Sequence, residues 1–161
     1  MSSNSIVVEH LTHEKVYSDV ALVRRLRFLT NGGWGRAEIG SAMLDDLESK
    51  RHGDFFLAKD AQLVIGWAFV TRRERWFSWD EANNGARAEG LPNLYQIGVY
   101  VSAKMRRSGV GTKLVERALC SFPKEHLVSC PWNDAGIRLF SRFGLRREED
   151  WCIAYRFRHD V

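Results

Sequence analysis

Six residues in mid-chain, Arg106-Arg107-Ser108-Gly109-Val110-Gly111, set paired positive charge beside two glycines two apart. The segment before them, Tyr95–Val101, alternates as a strand does, and the segment after, Thr112–Leu119, is patterned as a helix. A strand that turns tightly into a helix leaves the first helical N–H groups without carbonyl partners, so several of them can face one anion. Glycine permits positive φ and a close approach of backbone to ligand, and Arg106 and Arg107 add charge. The chemistry this pattern suits is the holding of a pyrophosphate. It is not a P-loop, because no Gly-Lys-Ser/Thr ends it, and it lacks the first glycine of the dinucleotide fingerprint. Without its context, the pattern is equally that of a plain helix entry after a turn.

The elements that must position this loop are legible as periodicity. Ser5–His13 predicts a first strand, and Val16–Leu29 a helix with Val20, Val23, Leu26 and Leu29 at helical spacing. Glycines in Thr30–Arg36 mark a loop, after which Ala37–Lys50 predicts a second helix with Ile39, Met43 and Leu47 on one face. Asp54–Arg73 reads as an antiparallel hairpin turning near Lys59 to Ala61. Residues 74–93 form a long connection without a clear period, either a functional loop or a surface excursion. The central strand and helix follow, then a strand over His126–Trp132 and a helix over Asp134–Gly144. Leu145–Arg158 predicts two short strands or one bent hairpin.

Composition bounds the function classes. With 161 residues, the chain suits one domain, 1–161, with a proper core. Hydrophobic residues at 45% and charged residues at 27% are ordinary for a globular protein, and no repeat or low-complexity tract interrupts them. The N-terminal residues lack the basic start and apolar stretch of a secretory signal, and no run approaches the roughly 18 apolar residues of a membrane span. A cytoplasmic location and no membrane partner are the expectations. Cys120, Cys130 and Cys152 are odd in number and widely spaced, which points to reduced, mostly buried thiols and to no metal site. The net charge of +4 and pI near 9.1 admit a nucleic-acid partner, but the basic residues form no block. A solvated basic surface with a pocket for an anionic ligand fits that distribution better.

In context the loop becomes specific. Arg106–Gly111, directly after "IGVYV" and before "TKLVERAL", resembles the acyl-CoA pyrophosphate loop of the GNAT superfamily of N-acyltransferases. Asn133–Leu145, "NDAGIRLFSRFGL", is similar to that family's Asn-x-x-Ala-x-x-Leu-Tyr-x-x-x-Gly-Phe helix, and the order of elements agrees over nearly the whole chain. The resemblance implies an α/β, GNAT-like mixed and mostly antiparallel central sheet, splayed at the cofactor cleft and flanked by helices. It implies acyl-CoA, most simply acetyl-CoA, lying between the strand at 96–101 and the strand at 127–130. Backbone groups of Val99 and Val101 would bond the pantetheine, and N–H groups from Arg107 through Ser108, Gly109 and Val110 to Gly111 the pyrophosphate. Asn133 would bond the pantetheine from the other side. Arg138 and Arg142, on one face of the last helix, either reach the nucleotide phosphates or form a solvated surface.

The activity so implied is N-acetyltransfer onto a primary amine, of a small molecule or a protein. It needs an unprotonated amine, a polarised thioester and a proton for the leaving thiolate. The family often supplies that proton from a tyrosine, where this chain has Phe140; Gly136 and Leu145 replace two further motif residues. Water, Ser141 or Cys130 could serve instead. Tyr95 and Gln96 occupy the place where relatives carry a glutamate or a water-holding residue, which favours a water-relayed deprotonation. Asp80, Glu81 and Glu89 are alternative bases or amine-binding charges, or plain surface acids. By resemblance, the acceptor site draws on Trp34 and on Trp76, Phe77 and Trp79, whose rings could stack on a flat substrate, surround a cation, or plug a core edge. Two rival readings stand beside this one: an acyl-CoA-binding regulatory module without turnover, and a transferase acting on a nucleic-acid-linked amine. Homodimerisation is an expectation by analogy.

Overall fold

A computed structural model describes residues 5–31, 44–45, 47–49, 53–72, 94–122, 126–129, 134–144, 146–147 and 155–156. The chain forms two compact units, Met1–Val70 with Val99–Phe122, and Thr71–Gly98 with Pro123–Val161.

In the first unit, β1 (Val7–Thr12) pairs antiparallel with β2 (Asp54–Asp60), from Val7↔Lys59 to Thr12↔Asp54. β2 pairs antiparallel with β3 (Leu63–Arg72). The turn between them falls on Ala61–Gln62, so β2 runs through Lys59 and Asp60, and Ala61 takes the left-handed φ of 52° that a two-residue hairpin calls for. Phe55 through Ala58 are all buried, as are Val64 through Val70, which explains why both runs read as continuous apolar stretches instead of alternating ones. Period-two geometry then sorts these residues between two faces. On one face a row of aromatic rings crosses the strands: Tyr17 meets Phe55 edge-on at 5.8 Å, Phe55 stacks on Trp67 at 5.9 Å, and Trp67 on Tyr100 at 4.9 Å. On the other face Gly66 lies against α3 (Val110–Ser121), whose Val110, Leu114, Val115 and Ala118 are buried at helical spacing.

The helix expected over Val16–Leu29 is two helices, α1 (His13–Tyr17) and α2 (Val20–Asn31). Asp19 is the reason: its side-chain oxygen accepts the Leu22 N–H at 3.0 Å while its carbonyl accepts the Val23 N–H, so it caps a new helix instead of continuing the old one. Val20 therefore stands 63% exposed at the first turn of α2, off the expected face, while Val16, Leu26 and Leu29 are buried. Of the second predicted helix, residues 44–45 and 47–49 are described and helical, with Leu44 and Leu47 buried; Ile39 and Met43 lie outside the described residues. Cys120 is exposed on α3, an exception among the thiols expected to be mostly buried; Cys130 and Cys152 lie outside the described residues.

In the second unit, the leading residues of β4 (Leu94–Val101) pair parallel with β5 (His126–Ser129) through Leu94↔His126, Tyr95↔Leu127 and Gln96↔Val128. β5 pairs antiparallel with β7 (Tyr155–Arg156), and β7 with β6 (Arg146–Arg147), two short strands within the segment for which the sequence predicts two short strands or one bent hairpin. α4 (Asp134–Arg142) buries Phe140 and ends at Gly144, whose φ of 81° terminates the helix.

The aromatic row identifies Trp67 as the residue whose loss should cost most. It is fully buried between Phe55 and Tyr100, yet its indole Nε1 has no hydrogen-bond partner among the described residues. Trp67→Ala should destabilise by about 3–5 kcal/mol, lowering the melting midpoint by roughly 2–4 °C for each kcal/mol. Trp67→Phe should cost clearly less, because no hydrogen bond is lost with the indole N–H. Thermal unfolding of both variants checks the order, and equal losses would contradict it.

Candidate functional site

The loop grows out of the end of β4. The Ser102 N–H donates to the Ile65 carbonyl at 2.8 Å, and a turn of 3-10 helix over Ala103–Met105 follows. Arg106 is extended, and Arg107 then enters the left-handed region at φ 62°, a conformation that a non-glycine residue rarely adopts. The Ser108 hydroxyl donates to the Met105 carbonyl and closes the turn. Gly109, at φ 83°, is the N-cap of α3, and its carbonyl accepts the Lys113 N–H at 3.0 Å.

That last bond defines the donor set. The N–H groups of Gly109, Val110, Gly111 and Thr112 precede the first intrahelical bond, so none has a carbonyl inside α3. Gly109 makes no side-chain cap bond to them, and the first turn of α3 contains no acidic residue. The positive end of the helix dipole is thus left to whatever anion approaches. Arg106, Arg107, Ser108 and Gly109 are exposed, whereas Val110 is buried, so one residue joins the core on its side-chain side to the donor set on its backbone side. A Cβ built on Gly109 meets nothing within 4 Å, which leaves open space at the cap. The two glycines therefore differ. Gly109 is required by its φ, whereas Gly111 lies inside the helix without positive φ, contrary to the joint role the spacing suggests.

The other expected site residues are placed as follows. Val99 and Val101, both half-buried, stand on the last part of β4 in the same unit as the loop. Tyr95 is half-buried and Gln96 is 5% exposed, both in the leading part of β4 and the second unit. Phe140 is 3% exposed on α4, with Ile137 and Phe143 half-buried. The Ser141 hydroxyl donates to the Ile137 carbonyl at 2.7 Å, so as an alternative proton donor it is already engaged in its own helix. Arg138 and Arg142 are exposed, which fits the solvated-surface alternative. Asn133, Trp34, Trp76 and Glu81 lie outside the described residues, as do Phe77, Trp79, Asp80, Glu89 and Cys130.

Three features of the site escape the sequence reading: the left-handed Arg107, the Ser102–Ile65 bond and the packing at Gly66. Only the last carries a signal, an isolated glycine inside a strand pattern, which marks close backbone approach. Among the described residues no group of three His, Cys, Asp or Glu could hold a metal ion, and no helix is long and apolar enough to cross a membrane.

Comparison with known proteins bears on this arrangement. The sequence profile of the acetyltransferase (GNAT) family matches residues 21–145. A search of curated protein sequences finds no match. Among solved structures, the chain is similar to a GNAT family acetyltransferase from Brucella melitensis in complex with acetyl-CoA, at 12% identity and TM-score 0.66, over 98% of this chain and 90% of that one. It is similar to an N-acetyltransferase from Staphylococcus aureus at 14% identity and TM-score 0.55, over 94% and 95%. It is also similar to an aminoglycoside acetyltransferase in complex with coenzyme A, at 17% identity and TM-score 0.60, over 96% and 95%.

The open space at Gly109 makes its backbone conformation the deciding factor in substitution. Gly109→Asn, which tolerates the left-handed region, should be the mildest change, Gly109→Ala should cost about 1–2 kcal/mol, and Gly109→Val should cost more. Urea midpoints of the three variants should fall in that order. Ala and Asn variants of equal stability would show that the φ at this position is relaxed in solution.

Proposed function

Because the chain belongs to the GNAT acetyltransferase family, we propose that it transfers the acetyl group of acetyl-CoA directly to the primary amine of an acceptor. The observation that carries this reading is the uncapped N-terminus of α3 behind Arg106 and Arg107, a site for a pyrophosphate held mainly by backbone donors. Backbone groups of Val99 and Val101 would hold the pantetheine arm, with Asn133 as a further partner. The similarity to acetyl-CoA and coenzyme A complexes supports acetyl-CoA as the donor.

In this mechanism the neutral amine nitrogen attacks the thioester carbonyl carbon, the carbon–sulfur bond breaks, and the nitrogen loses a proton while the thiolate gains one. Tyr95 and Gln96 would hold the water that takes the amine proton, as neither is a carboxylate. Trp34, Trp76 and Glu81 are the proposed acceptor contacts. Phe140 has no proton to give, and a thiol pKa of about 8.5 lets water protonate the leaving group near neutral pH. A second reading, an acyl-CoA-binding module without turnover, is favoured by that same buried, hydroxyl-free Phe140.

Release of free CoA thiol, measured with acetyl-CoA and a panel of primary amines, should separate the readings. Turnover supports the transferase; acetyl-CoA binding without turnover supports the module; absence of both contradicts the family chemistry for this chain. Arg106→Ala with Arg107→Ala should raise KM for acetyl-CoA by roughly tenfold, about 1.4 kcal/mol, and leave the ranking of amines unchanged. A changed ranking would place the arginines at the acceptor instead.

Phe140→Tyr gives a separate outcome. At this degree of burial the added hydroxyl should cost about 1–3 kcal/mol if it finds no partner, and a general acid contributes typically 10²–10⁴-fold where it is used. Steady-state turnover from pH 6 to 9 should show activity in both proteins. A silent wild type switched on by Phe140→Tyr would establish the module reading.

A further inference from the structure

The nine-residue segment from Ser102 to Val110 is fastened at both ends to two consecutive residues of β3. At its start, the Ser102 N–H donates to the Ile65 carbonyl at 2.8 Å. At its end, Val110 packs on Gly66. A Cβ placed on Gly66 would lie 3.0 Å from the Tyr100 carbonyl oxygen, 3.1 Å from Val110 Cγ1 and 3.3 Å from Leu114 Cδ1. All three distances are tighter than ordinary van der Waals contact, and the nearest atom is backbone of β4, which cannot swing aside as a side-chain tip can. The two helical neighbours belong to the first turns of α3, and both are buried.

We infer that Gly66 is a positioning residue for donor binding: the missing side chain sets how closely the N-terminus of α3 approaches the sheet, and thereby where the Gly109–Thr112 N–H groups stand. Gly66 touches no reacting atom. It acts through Val110, whose side chain rests on it and whose N–H belongs to the donor set. Glycine at this position is not needed for φ, since Gly66 is absent from the residues of positive φ and sits in a regular strand. What requires it is space. An alanine would push Val110 and the helix start by a few tenths of an ångström, or displace the β4 backbone from which the loop departs.

The inference rests on the reading of the α3 N-terminus as the acetyl-CoA site, and the test separates the two. The N–H resonances of Val110, Gly111 and Thr112 are compared in unliganded wild type and Gly66→Ala, and acetyl-CoA binding is measured by calorimetry in both. Gly66→Ala should shift those resonances before any ligand is added and weaken acetyl-CoA by roughly tenfold, while kcat at saturating acetyl-CoA stays within about twofold. Gly66→Ala combined with Val110→Ala removes the 3.1 Å contact and should recover most of the affinity lost relative to Val110→Ala alone. Should Gly66→Ala fail to fold, that double variant decides: the inference requires it to fold and to bind. Unchanged affinity in a folded Gly66→Ala overturns the inference, and so does a loss that Val110→Ala leaves untouched. A wild type that does not bind acetyl-CoA overturns the donor reading, and the inference about donor binding falls with it, whatever the resonances show.

Discussion

The close seating of α3 on β3 is the constraint on which the rest of the first unit depends. A helix presents its unpaired N–H groups along its own axis, so their position is fixed by whatever holds the first turn. Here the first residue of α3 is an apolar anchor, Val110, pressed against a strand position without a side chain. The preceding residue, Gly109, has no side chain with which to cap the helix. A Ser, Asp or Asn at that position would satisfy one of the orphan donors and occupy the space where an anion approaches. Absence of a side chain thus does two different jobs in one site, allowing packing at Gly66 and leaving the donors uncapped by Gly109.

The backbone between these points carries local strain. Arg107 holds a left-handed conformation that costs on the order of 1–2 kcal/mol for a non-glycine residue, and the Ser108 hydroxyl bond to the Met105 carbonyl helps to sustain it. Such strain persists only where surrounding contacts over-determine it. The bond from Ser102 to Ile65 at one end and the Val110 contact at the other supply that determination. The strands behind them are equally fixed, since the aromatic row from Tyr17 to Tyr100 covers the opposite face and leaves β3 little freedom to yield.

Much of this was legible in the sequence, for physical reasons that also explain the rest. The hairpin of β2 and β3 follows from two continuous apolar runs around a turn, the central strand and α3 from their hydrophobic periods, and the closing short strands from apolar residues around a polar middle. The break at Ser18–Asp19 did not, because Val16 and Val20, four apart, keep helical spacing across it while the Asp19 cap makes Val20 an exposed first-turn residue. Cys120 is exposed because α3 is buried along Val110, Leu114, Val115 and Ala118, and a residue two positions past Ala118 stands off that face. At the site, Gly109 was readable as a left-handed residue, whereas Arg107 was not, because side-chain identity gives no sign that an arginine will be held there. Gly66 shows the opposite case, a residue whose type hinted at close approach but whose partner, Val110, lies far along the chain and comes near only in the folded unit.

The central claim is that backbone donors at the start of α3 hold the anionic donor, and titration of ¹⁵N-labelled protein with acetyl-CoA observes those donors directly. The account predicts that the N–H signals of Gly109, Val110, Gly111 and Thr112 shift among the most as the titration proceeds, in step with saturation, and that free pyrophosphate moves the same signals more weakly. Saturable binding of acetyl-CoA with these four signals unmoved would contradict it.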